Sequence, residues 1–116
     1  MTLRLYGLAK CSTCQKAVDW LDEHGIFHSF SDVKDTPVTK KQVAGWSKAL
    51  GGWEKMINRA GYTWRGLPAA ETENLTEAKA VALAVKYPSL IRRPLIEHKD
   101  DSVTVGFSKK ILELLV

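Results

Sequence analysis

The sequence has little of what usually marks anchoring, export or structural cross-linking. No stretch approaches the roughly 18 uncharged apolar residues of a membrane-spanning helix, because Lys86, Arg92 and Arg93 interrupt the best candidate. The start, Met1-Thr2-Leu3-Arg4-Leu5-Tyr6-Gly7, lacks the basic end and long apolar run of a secretion signal. The mature chain is therefore expected to begin here and to work in the cytoplasm, away from membranes. No repeat, low-complexity segment or linker divides it. Its 116 residues, 45% of them hydrophobic, suffice for one domain, 1–116, with one core.

Charge of one sign is also not concentrated. The 17 basic and 13 acidic residues leave a net +4 spread along the sequence, which suits an anionic small molecule as well as nucleic acid. A nucleic-acid surface would need clustered Lys and Arg or stacking motifs, and the four tryptophans do not interleave with basic runs. Cysteine is equally sparse. The two residues, Cys11 and Cys14, lie three positions apart. In a reducing compartment such a pair points to redox chemistry or metal binding rather than a structural bridge.

Periodicity orders the chain. Residues 3–8 read as a buried strand broken by Gly7, and a turn through Ala9-Lys10-Cys11 leads to a helix. Ser12 and Gln15 have the spacing of a capping box, and Cys14, Ala17, Val18 and Leu21 form one apolar stripe that Gly25 ends. Residues 26–33 are a second strand, giving a β-α-β opening. Thr39 and Gln42 cap the next helix, and Gly51-Gly52 stops it. A short helix over 53–59, a loop through Gly61, Gly66 and Pro68, and a helix capped by Asn74 and closed by Pro88 complete a helical insert over about 38–90. Residues 94–97 and 102–107 read as a hairpin, and Ser108 caps a final helix with Ile111, Leu112 and Leu115 inward. The order is β-α-β, insert, β-β-α: an α/β, thioredoxin-like fold with a four-stranded mixed sheet.

Cys11-Ser12-Thr13-Cys14 places two unequal sulfurs at a helix start. Cys11 sits where unpaired amides and the positive end of the helix dipole converge, with Lys10 adjacent, so a thiolate is favoured over the ordinary thiol of pKa about 8.5. Cys14 falls on the apolar stripe as the more buried, resolving thiol. Two other readings stand beside this one: both cysteines as small core residues, or Cys11, Cys14, His24 and His28 as a zinc site. The zinc spacing is poor, since nine residues separate Cys14 from His24 and Gly25 breaks the helix between the histidines. His24, His28 and His98 are then surface or loop residues. In a thioredoxin-like sheet Arg92-Arg93-Pro94 approaches the cysteine turn, with Pro94 a candidate cis proline and the guanidinium groups a grip for a carboxylate or oxyanion. Arg59 is a candidate for the same rim.

Three segments in this order resemble the ArsC-like family: Gly7-Leu8-Ala9-Lys10-Cys11-Ser12-Thr13-Cys14-Gln15-Lys16-Ala17, then residues 53–67 with Asn58-Arg59-Ala60-Gly61-Tyr62-Thr63-Trp64-Arg65, then Ile91-Arg92-Arg93-Pro94-Leu95. That family holds glutaredoxin-coupled arsenate reductases, Spx redox-sensing transcription regulators and a glutathione-dependent thiol reductase branch, which the 53–67 segment resembles most. The resemblance implies a catalytic Cys11, an oxyanion-holding Arg93 and an anion-binding Arg59. It implies a metal-free thiol-disulfide oxidoreductase with glutathione as co-substrate and glutaredoxin as an optional partner. An Spx-like regulator docking on RNA polymerase is the alternative. Arsenate reductases of this type carry a further arginine on the last hairpin, whereas no arginine follows Arg93 here.

Overall fold

Leu3, Leu5 and Gly7 are buried along the first strand while Arg4 points to water, the alternation of a strand with one covered face. In the computed structural model of the chain, residues 2–115 are described. They form a four-stranded mixed sheet and seven α-helices. The strands are β1 (Leu3–Gly7), β2 (His28–Asp32), β3 (Leu95–Glu97) and β4 (Val103–Val105), in the order β2-β1-β3-β4. β1 runs parallel to β2, with Leu5 opposite Phe30, and antiparallel to β3, which pairs antiparallel with β4. The chain divides into two compact units: one from its two ends, up to Thr36 and from Arg92 onward, the other Pro37–Ile91.

The first unit holds the whole sheet. Between β1 and β2 runs α1 (Ser12–Glu23), whose Ala17 and Leu21 pack with Leu3, Leu5 and Ile96 into a core flanked by Val18, Phe30, Phe107, Ile111 and Leu115. Gly25 follows the helix at φ +64°, the left-handed conformation that a side chain resists. The expected capping box is corrected: Cys11, not Ser12, is the N-cap, and it makes no side-chain capping bond. At the far end, Ser108 Oγ accepts the Ile111 amide at 3.4 Å before the last helix, which spans Lys109–Leu115.

The second unit is helical. Its helices are α2 (Lys40–Leu50), α3 (Trp53–Met56), α4 (Tyr62–Arg65), α5 (Ala69–Thr72) and α6 (Glu77–Lys86), and the last helix of the first unit is then α7. Thr39 and Gln42 form the expected reciprocal capping box, and Gly51 ends α2 at φ +91°. Three expectations change. The 53–59 helix stops at Met56, because Ile57 turns extended to bridge Ile91. The loop through Gly61, Gly66 and Pro68 contains two single-turn helices. Thr76 rather than Asn74 caps α6, its side chain accepting from the Lys79 amide, while Asn74 takes φ +54°. Val43, Trp46, Met56, Val81 and Leu83 are buried, and Ser47 Oγ donates to a Glu77 carboxylate oxygen.

His98 departs from the surface position expected of it: it is 8% exposed, and its Nε2 shares a 2.7 Å hydrogen bond with Thr104 Oγ1 across the β3–β4 hairpin. Burial pushes its imidazole below the ordinary 6.5, and Asp100 opposes the shift. The unfolded chain therefore binds a proton more readily than the folded one. Stability contributed by neutral His98 is complete above the unfolded value and is lost as pH falls through and below it. Thermal unfolding is expected to move to lower temperature from about pH 7 to about pH 5, with a shallower dependence in His98→Gln. Equal slopes in the two proteins would show that His98 does not set this dependence.

Candidate active site

β1 ends in a tight turn in which the Cys11 N–H donates to the Leu8 carbonyl at 3.0 Å. Cys11 is extended, at φ −78° and ψ 123°, so α1 begins directly beneath its side chain. No side-chain cap competes for the first-turn amides. Half-burial raises the Cys11 pKa, but the Cys14 amide, the Cys14 thiol, the Thr13 amide and the positive charge of Arg93 together outweigh it. The net result is a thiol more acidic than an ordinary cysteine. Gln15, freed from capping, donates its Nε2–H to the Ala9 carbonyl at 2.8 Å.

Cys14 sits one turn on and experiences the opposite balance. It is 1% exposed, and burial, with its thiol donating to Cys11 and the negative charge there, pushes its pKa up to about 11 against the Leu8 amide and Arg93. Room for this sulfur exists because residue 7 is glycine: a Cβ there would stand 2.5 Å from Cys14 Sγ. Both thiols are free. The turn thus presents one ionisable, reachable sulfur hydrogen-bonded to one protonated, covered sulfur, the arrangement that lets the first attack a disulfide and the second resolve it.

Arg93 reaches both sulfurs electrostatically from the segment entering β3, and the Arg93-Pro94 peptide is cis. Pro94 is buried and its carbonyl accepts the Gly106 amide at 2.9 Å. Lys10 and Arg92 are exposed. Arg59 lies in the second unit, its guanidinium 5.4 Å from the Trp53 ring centre. Of the histidines, His24 is exposed and stacks on Trp20 at 4.0 Å. His28 is instead a half-buried β2 residue, its Nε2 3.7 Å from Asp22, which corrects its surface assignment. Among the described residues no three of His, Cys, Asp and Glu come together as a metal site. Asp32, which no sequence motif marks, joins the turn: its Oδ2 accepts the Ala9 amide at 2.8 Å. Its only local signal is its place at the end of a strand followed by a turn.

Alkylation of the native protein near neutral pH is expected to label Cys11 and leave Cys14 protected, with site-resolved mass spectrometry reading the ratio. Comparable labelling would contradict the burial difference. Gly7→Ala is expected to displace the Cys14 sulfur and lower stability by about 1–3 kcal/mol, the usual cost of overpacking. Thermal unfolding and the Cys14 labelling rate report the two effects.

Residues 6–114 match the model of the ArsC family. The chain is 37% identical to a solved YFFB protein, each covered over 98%, at a TM-score of 0.89. It is 34% identical to an arsenate reductase related protein of Brucella melitensis, 98% of this chain and 93% of that one, at a TM-score of 0.76. It is also 27% identical, over 90% of its length and 81% of the relative's, to global transcriptional regulator Spx 1 of Lactococcus lactis. The cysteine turn, the fold and these matches agree: the chain belongs to the ArsC family.

Proposed function

We propose that this protein is a thiol-disulfide oxidoreductase with Cys11 as nucleophile and glutathione as co-substrate. The observation that carries this reading is the pairing at the start of α1, an acidified, half-exposed sulfur against a buried one whose pKa is about 11. Cys11 thiolate attacks the glutathione sulfur of a glutathionylated thiol, forming a Cys11–glutathione disulfide and releasing the substrate as a thiol after it takes a proton. A second glutathione thiolate then attacks that glutathione sulfur, regenerating Cys11 and producing oxidised glutathione. Alternatively Cys14 loses its proton and attacks Cys11, releasing glutathione and leaving an internal disulfide that glutathione or glutaredoxin must reduce. Arg93 stabilises the thiolate and takes a glutathione carboxylate, with Pro94 setting the approach of its segment. A free thiol pair of this kind suits a reducing compartment such as the cytoplasm.

The likeness to Spx 1 favours a second reading, in which the cysteine pair is a redox switch on a regulator that docks on RNA polymerase. Turnover separates the two. With glutathione and a glutathionylated peptide, Cys11→Ser is expected to abolish activity, and Cys14→Ser to retain it where glutathione resolves the intermediate. Arg93→Ala is expected to raise KM several-fold and to raise the Cys11 pKa, Arg93 being the smallest of the influences that lower it. Absence of turnover, together with direct binding to RNA polymerase, would replace the enzyme by the regulator.

A further inference from the structure

Asp32 is the last residue of β2 and stands opposite Gly7 in the parallel register with β1. Its side chain therefore leaves the sheet where the chain of β1 turns toward Cys11. Asp32 Oδ2 accepts the Ala9 N–H and Oδ1 the Lys34 N–H, each at 2.8 Å. The carbonyl of the same Ala9 accepts from Gln15 Nε2, also at 2.8 Å. Both polar groups of one residue, two positions before the sulfur, are thus held by side chains from two different elements, β2 and α1. The β1–β2 ladder ends at Gly7, so these bonds, with the Cys11–Leu8 turn bond, determine the shape of the turn beyond it.

We propose that Asp32 and Gln15 are positioning residues that clamp Ala9 and so hold the Cys11 sulfur within reach of the Thr13 and Cys14 amides. This deepens the oxidoreductase reading and rests on it. The sign of the effect is diagnostic. The amides of Ala9 and Lys34 keep the Asp32 carboxyl below its ordinary range, so it is ionised at neutral pH. A negative charge near a thiol disfavours the thiolate. If Asp32 acted by charge alone, removing it would make Cys11 more acidic. Acting as a clamp, its removal loosens the amide cradle and makes Cys11 less acidic.

The test is the pH profile of Cys11 alkylation by iodoacetamide in the full-length protein, resolved by mass spectrometry, for wild type, Asp32→Ala, Asp32→Asn and Gln15→Ala. Asp32→Ala is expected to raise the midpoint by about one pH unit, roughly a tenfold loss of thiolate below it. Asp32→Asn, which keeps one carbonyl acceptor, is expected to raise it less, and Gln15→Ala to raise it as well. A lowered midpoint in both Asp32 variants would overturn the clamp in favour of a charge effect. Unchanged midpoints with a lower unfolding temperature would overturn it in favour of a structural role. Both results leave a depressed wild-type midpoint intact, and with it the oxidoreductase reading. A wild-type midpoint at the free-cysteine value of about 8.5 would overturn both.

Discussion

The backbone amides of Thr13 and Cys14 point at the sulfur of Cys11, and the chemistry available to the site depends on that convergence. Burial by itself works against a thiolate, and it is the largest single influence on Cys11. A half-buried cysteine without donors would be less acidic than a free one. The first-turn amides, which an α-helix leaves without internal partners, reverse the sign with help from Arg93 and the Cys14 thiol. Three residues further along, the same arrangement yields the opposite state. Cys14 is deeper, donates its own proton toward Cys11, and has only the Leu8 amide and Arg93 in favour of its ionisation.

The sheet keeps this arrangement in place. β1 is an interior strand, parallel to β2 on one side and antiparallel to β3 on the other. Tyr6 pairs with Leu95 at the start of β3, and Arg93 and Pro94 immediately precede it. From there the charge of Arg93 acts on both sulfurs, although the cysteines and Arg93 lie near opposite ends of the sequence. On the other flank the parallel register delivers Asp32 to the same turn. Gly7 completes the geometry by leaving out the one carbon that would collide with Cys14 Sγ.

What was legible in the sequence was what local periodicity and capping chemistry encode. Leu3 and Leu5 alternate, Ala17 and Leu21 recur at helical spacing, Thr39 and Gln42 form a real box, and Gly25 and Gly51 sit at positive φ. The unequal cysteines were legible because a helix start has a direction. The errors share one physical origin, competition from partners that local sequence does not display. Gln15 has the spacing of a capping residue, yet its side chain donates to the Ala9 carbonyl instead of accepting from a cap amide. Asn74 had the right chemistry to cap a helix, yet Thr76 lay two residues closer to it and took the role. His98 reads as a surface or loop residue because nothing nearby signals its hydrogen bond to Thr104 on the neighbouring strand. Asp32 was invisible as a site residue because its partner Ala9 is 23 positions away.

The two sulfurs also set an order of events in the proposed cycle. While Cys11 is a thiolate, it raises the Cys14 pKa twice, as the acceptor of the Cys14 proton and as a neighbouring negative charge. Forming a mixed disulfide on Cys11 removes the charge and weakens the acceptor, and those two influences fall away while the Leu8 amide and Arg93 remain. Burial is then the main obstacle to Cys14 ionising. Cys14 is thus restrained most while Cys11 is a thiolate and less once Cys11 carries a leaving group, with burial still the largest influence against its ionisation. In that cycle the same restraint favours an external thiol. A solvent thiol need only reach the exposed side of the mixed disulfide, whereas Cys14, 1% exposed, must first shed a proton inside the protein.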